Sequence, residues 1–158
     1  MNVLQGSDLE TSDIEIAAPP NGGTSLNGTI LVDGADSTLT MSGGSTLKIG
    51  KSGAPSLVAR IEVSGDGVFH SGTGAITLGQ AGTLDINTGG IFNANAAISM
   101  ADGSTLTLAG GELNATAGLD NSFDGTITFT DGTLTVSGGT FTATSTSTSE
   151  NFVVTGAA

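Results

Sequence analysis

The sequence predicts an all-β solenoid, and three observations predict it. A short motif occurs six times: two apolar residues flank an outward one, a glycine-containing corner follows, and another apolar residue closes the unit. The copies read IEIAAPPNGGTSLN, LTMSGGSTLK, IEVSGDGVFH, LDINTGGIFN, LTLAGGELN and LTVSGGTFT. They begin at Ile14, Leu39, Ile61, Leu84, Leu106 and Leu134, at intervals of 25, 22, 23, 22 and 28 residues. A period near 22 made of short strands and glycine corners is how a solenoid reads in sequence. The second observation is strict alternation of apolar and polar residues within each unit, with no helical periodicity anywhere. The third is composition. With 26 Gly and neither Trp nor Tyr, the chain suits narrow stacked rungs rather than a thick globular core.

Taken in order, residues 1–13 read as an N-terminal cap or arm, and residues 14–143 as about six coils of about 22 residues with three short strands each. The first strand of a coil is read at 29–32, 75–78, 97–100 and 126–129. The second is the LTM or LTV element of the motif, and the third ends on Leu26, Leu47, Phe69, Phe92, Leu113 and Phe141. The inward pairs of the second strand are Ile14/Ile16, Leu39/Met41, Ile61/Val63, Leu84/Ile86, Leu106/Leu108 and Leu134/Val136, expected to form ladders of like residues. β-Branched residues suit such a pleated surface. Parallel crossovers are right-handed almost without exception, so the predicted class is a single-stranded right-handed parallel β-helix. At a rise of about 4.8 Å per coil it would form a rod roughly 29 Å long.

Asp-Gly pairs at 33–34, 102–103 and 131–132, and Gly-Gly pairs at 43–44, 89–90, 110–111 and 138–139, fall between strands as corners. The interval of 28 places an insertion loop at 117–125, with Leu119 and Phe123 as a candidate contact loop. Residues 144–158 read as a wide turn, TSTSTS, followed by a last strand. Phe152, Val153 and Val154 in that strand are apolar and form a candidate assembly strand.

The Gly-Gly corners with their LTL, LDI and LTV strands, and the endings Asn93-Ala94 and Asn114-Ala115, resemble the repeats of right-handed parallel β-helices. They are most similar to autotransporter passenger and haemagglutinin-type adhesin repeats and to phage β-helical surface proteins. The resemblance covers about residues 14–143 and implies architecture rather than task.

Charge narrows the partners. Fifteen acidic residues against Lys48, Lys51 and Arg60 give a net charge of −12, which repels nucleic-acid backbones and anionic membranes. No apolar segment has the length of a membrane span. The first residues lack the basic and apolar regions of a signal peptide. Cysteine is absent, which removes disulfides, thiol catalysis and cysteine-ligated zinc.

Among groups that carry chemistry, Glu62 and Asp85 would stand one coil apart on the outward face, with Arg60 pointing the same way. Two carboxylates about 5 Å apart suit a retaining glycosidase. The simpler reading, adopted here, is an exposed ladder in which Arg60 offsets their repulsion. His70 is the lone histidine, read in a polar outward column with Asn27, Lys48, Asn93, Asn114 and Thr142. It supports no transition-metal site. The SGDG at 64–67 is a fragment of a calcium repeat, and turn chemistry explains its aspartate. Thr-x-Thr pairs at 38/40, 105/107, 126/128, 133/135 and 140/142 raise ice binding, but charged residues interrupt the columns. No cofactor, metal or catalytic residue is expected. The expected role is a non-enzymatic structural surface protein that assembles with itself or a larger particle, most simply a virion decoration or fibre component. A bacterial adhesin or matrix filament subunit is the alternative, and a polysaccharide-active enzyme a distant one. A surface glycan is a further partner to test.

Overall fold

The structure is a computed structural model that describes residues 1–16, 27–51 and 58–142, and the backbone of 148–149. In chain order the strands are β1 (Asn2–Leu4), β2 (Asp8–Thr11) and β3 (Ile14–Ile16), then β4 (Gly28–Asp33), β5 (Thr38–Met41) and β6 (Leu47–Ile49). β7 (Ala59–Ser64), β8 (Val68–His70) and β9 (Ile76–Leu78) follow, then β10 (Gly82–Asn87), β11 (Ile91–Ala94) and β12 (Ile98–Met100). The last are β13 (Thr105–Ala115), β14 (Leu119–Asp120), β15 (Thr126–Val136), β16 (Phe141–Thr142) and β17 (Thr148–Ser149). The described residues contain no helix, and every strand pair is parallel.

The larger sheet has eleven strands and runs β1-β4-β7-β10-β13, then returns β11-β8-β5-β2, with β15 and β17 added beyond β13. Strand β13 makes the turn because it belongs to both limbs. Its first half pairs β10 and its second half pairs β11, with a register shift between them. The sheet is therefore nearly closed and barrel-like. The second sheet has six strands, in the order β16-β14-β12-β9-β6-β3. Three ladders result: the limb starting at β1, the limb starting at β2, and the six-stranded sheet starting at β3.

Alternation holds along the ladders. In the first, Ile30, Ile61, Leu84, Leu106 and Ile127 are in register and buried. In the second, Leu39, Phe69, Phe92 and Leu113 are in register and fully buried. In the third, Ile14, Leu47, Ile76, Ile98 and Leu119 stack in the same way. Parallel strands sit about 4.8 Å apart, so identical positions touch and like residues fill the core. Phe69 and Phe92 show it directly, with ring centroids 4.7 Å apart and planes 13° from parallel.

The inward residues of the motif are inward, but the six copies do not form one column. Ile61, Leu84 and Leu106 lie on the first ladder, Leu39 and Leu134 on the second, and Ile14 on the third. Strand, glycine corner and strand recur at more than one edge of the structure, so the motif alone does not identify its face. The strands read as a coil's first divide likewise: 29–32 and 126–129 lie on the first ladder, 75–78 and 97–100 on the third. The stretch read as a cap or arm supplies β1 and β2, the end strands of two ladders, with Val3 buried.

Residues 117–125 are not an insertion. From the third ladder back to the first, six positions separate Leu78 from Leu84, Met100 from Leu106 and Asn121 from Ile127. The long crossings come earlier: fourteen positions from Ile16 to Ile30 and twelve from Ile49 to Ile61. The interval of 28 compared Leu106 with Leu134, which sit on different ladders; the register partner of Leu106 is Ile127. Between the first and second ladders the corner tightens until β13 and β15 pass through it as single strands. Gly110, with φ at +87°, and Gly132, with φ at +108°, allow this, since L side chains rarely adopt such a backbone.

Candidate functional site

Three places carry chemistry. The first is the charged cluster on the outward face of the first ladder. Glu62 and Asp85 are register partners on β7 and β10, as the spacing predicts. Arg60 binds both: Nε lies 2.6 Å from Asp85 Oδ2, and an Nη lies 3.1 Å from Glu62 Oε2. Asn87 Nδ2 donates to the other Glu62 oxygen at 3.0 Å. The Arg60 side chain keeps 38% of its surface exposed, against 12% for Asp85. The two carboxylates share one guanidinium, so the cluster keeps a net charge of −1 with both acids ion-paired.

The second place is a polar line on the second ladder. His70, Asn93 and Asn114 are in register. Asn114 Nδ2 donates to Asn93 Oδ1 at 3.0 Å and also to Glu112 Oε1 at 2.7 Å. Asn93 Nδ2 lies 3.2 Å from His70 Nδ1, which accepts in the Nε2–H tautomer. These bonds tie three strands together on the outside as the phenyl rings do on the inside. Lys48 and Thr142, read in the same column, lie instead on the third ladder, opposite Glu15 and Asp120 respectively; Asn27 precedes β4, outside the second ladder, and its Oδ1 accepts from Val58 N at 2.8 Å.

The third place is the stretch read as a contact loop, where Leu119 and Phe123 face different ways. Leu119 is fully buried in β14, in register between Ile98 and Phe141. Its apolar character serves the core, where sequence spacing alone suggested a contact loop. Phe123 is 64% exposed on the loop that follows. That loop is braced internally: Asn121 Nδ2 donates to the Gly125 carbonyl at 2.6 Å, and Ser122 N donates to Asp120 Oδ1 at 3.0 Å. An open groove of about 490 Å³ beside it is lined by Gln80, Ala101, Asp102, Ser122, Phe123 and Asp124. A second groove, of about 420 Å³, shares Ser122 and continues over Asp120, Thr140 and Thr142. The sequence did not bring Gln80 and Asp102 beside Phe123, with which they line this groove. Their place in the same corner depends on register, which three equal crossings of six positions would have revealed.

The candidate assembly strand Phe152, Val153 and Val154 lies outside the described residues, as does Leu26. Among the described residues no three of His, Asp and Glu gather as ligands for a metal ion, and no helix is long and apolar enough to cross a membrane. The threonines align only locally. Thr83, Thr105 and Thr126 form one outward column and Thr107 and Thr128 the next, bounded by Arg60 and Asp85.

Comparison with protein-family models, curated proteins and solved structures found no match. The reading of function therefore rests on this chain's own residues.

Proposed function

We propose that the chain is a right-handed parallel β-helix of six coils, and that it works as a non-enzymatic structural protein of a surface assembly. The coil reading is supported by the order of the strands, since successive strands pass from the first ladder to the second to the third and back. The hand follows from the general preference of parallel crossovers. The observation that carries the functional reading is the end of the molecule formed by β1, β2 and β3. Each is the terminal strand of its own ladder, so three strand edges lie together there. Strand edges template pairing with another chain unless they are covered, and solenoid ends either cap or assemble. A virion decoration or fibre component is the form of this reading that fits the acidic charge and the stacked architecture. The commitment of Glu62 and Asp85 to Arg60 supports a structural role for that pair.

A bacterial adhesin or extracellular filament subunit is the second reading, favoured by the exposed Phe123. Electron microscopy of the purified chain, with light scattering across a dilution series, tests assembly directly. Filaments or discrete oligomers are expected. A strict monomer at high concentration would remove self-assembly from the proposal.

A further inference from the structure

Aspartate precedes glycine at 33–34, 66–67, 102–103, 124–125 and 131–132, and the structure holds these pairs differently. At the last of them Gly132 N donates to Asp131 Oδ1 at 2.8 Å, which sets the amide nitrogen beside the carboxyl carbon of its own neighbour. Both residues are exposed. Among the described residues only β13 pairs with residues 131–136, because β17 reaches no further than Thr128 and Phe129. The other pairs are held elsewhere. Asp33 lies between β1 and β7, and its Oδ1 accepts from Ser64 Oγ at 2.7 Å. After Asp66, Gly67 N donates to the Ser64 carbonyl at 2.8 Å. After Asp124, Gly125 is buried, and its carbonyl accepts from Asn121 Nδ2 at 2.6 Å. Asp102 sits in a turn that Ser104 N closes on the Ala101 carbonyl at 3.1 Å.

From this geometry we infer that Asp131-Gly132 is a covalent modification site, where aspartate isomerises to isoaspartate through a succinimide with water as the only co-reactant. Gly132 N attacks Asp131 Cγ. The N–Cγ bond forms, and one carboxyl oxygen leaves as water with the amide proton and the carboxyl proton. Water then adds to one of the two ring carbonyls. If the bond from Asp131 C to Gly132 N breaks, the chain runs on through Cβ and Cγ and the former main-chain carbonyl becomes a free carboxylate. If the N–Cγ bond breaks, aspartate is restored. Nothing is oxidised or reduced. Glycine suits the step because no side chain shields its nitrogen. The product has a main chain longer by one carbon at a corner with no slack. Gly132 lies in register with Gly111, so closely that an added Cβ would run into the Gly111 carbonyl. A longer chain cannot keep both Phe129 opposite Leu108 and Leu134 opposite Leu113. The stretch after the corner gives way, since Leu134 and Val136 are only half-buried.

The inference does not rest on self-assembly and is tested separately from it. The full chain is aged in heavy-oxygen water at neutral pH, digested, and mapped by mass spectrometry, with isoaspartyl methyltransferase as an independent probe of the product. Isoaspartate and heavy oxygen are expected to accumulate at residue 131 several-fold faster than at Asp33 or Asp66. In urea the Asp-Gly pairs lose their different surroundings, so their rates should converge. Asp131→Glu, on an exposed side chain, should abolish the product at this position with an unchanged thermal melt. In the modified fraction, hydrogen exchange should show lost protection over Thr133–Val136 while β7 and β10 keep theirs. No isoaspartate at residue 131, equal rates at Asp33 and Asp66 in the folded chain, or an order of rates that persists in urea would overturn the inference. Full protection of Thr133–Val136 in the modified chain would overturn the register consequence.

Discussion

Phe69 and Phe92 lie in register on adjacent parallel strands, ring over ring, both fully buried. Leu39 continues the column on one side and Leu113 on the other. Removing a ring from the middle of a packed column leaves a cavity that its neighbours fill only in part. Phe92→Ala should cost about 3–5 kcal/mol, read from denaturant unfolding, while Phe92→Leu should cost much less because leucine already occupies the next position. Similar costs for the two variants would mean that the column is not packed as described.

Arg60 is ion-paired with two stacked acids and offsets one of their two charges, so removing it should be worse than removing one of them. Arg60→Met leaves Glu62 and a nearly buried Asp85 side by side and should cost about 1–3 kcal/mol, discounted for the partial exposure of the guanidinium. Glu62→Gln should cost about 1 kcal/mol, since the amide oxygen can keep one of the two bonds that Arg60 and Asn87 make to separate carboxylate oxygens. Adding Glu62→Gln and Asp85→Asn to Arg60→Met should restore part of the loss. Failure of that rescue in urea unfolding would sink the neutralisation account.

Asp13 provides the pH dependence. Its Oδ1 accepts from the Thr46 backbone N–H at 2.6 Å and from the Thr46 hydroxyl at 3.1 Å. These bonds, the backbone one foremost, hold its carboxyl below the usual carboxylate value, with Lys48 adding a smaller pull. A lowered folded pKa means that the contribution is complete above the unfolded value of about 3.9 and is lost as pH falls through the folded one. Asp13→Asn should therefore lower Tm at pH 7, and the gap to the parent should close in strong acid. A gap that widens on acidification would refute the assignment.

Burial is graded toward the C-terminal end. Leu84 is fully buried and Leu106 nearly so, but Leu134, two register steps beyond Phe92 on the second ladder, is only half-buried. Leu84→Asp and Leu106→Asp each place a charge inside a ladder and should abolish cooperative folding. Leu134→Asp should leave a cooperative melt at reduced Tm. Circular dichroism melts of the three variants distinguish these outcomes.

Local chemistry was legible where alternation decides it. Ile61, Leu84 and Leu106 point in and Glu62 and Asp85 point out because a strand reverses at every residue, and their alignment followed from crossings of equal length. The faces of Ile14, Leu39 and Leu134 were not legible. The crossings after Ile16 and Ile49 are at least twice as long as the later ones, and a count along the chain does not know which ladder it has reached. Leu119 shows the cost of that error: a residue regular in register looked like an insertion when measured against the wrong neighbour.

The equal crossings also make the molecule a tape measure. Thr83 and Thr105 occupy the same place, 22 residues apart. Excising residues 83–104 would join Gly82 to Thr105 and take one strand from each ladder, bringing β7 directly against β13. Ile61 would then meet Leu106, and Phe69 would meet Leu113, with the cross-section unchanged. Length in such a chain is set by whole periods, so it can be shortened or extended by duplication and loss of a single stretch of gene without a new core being invented.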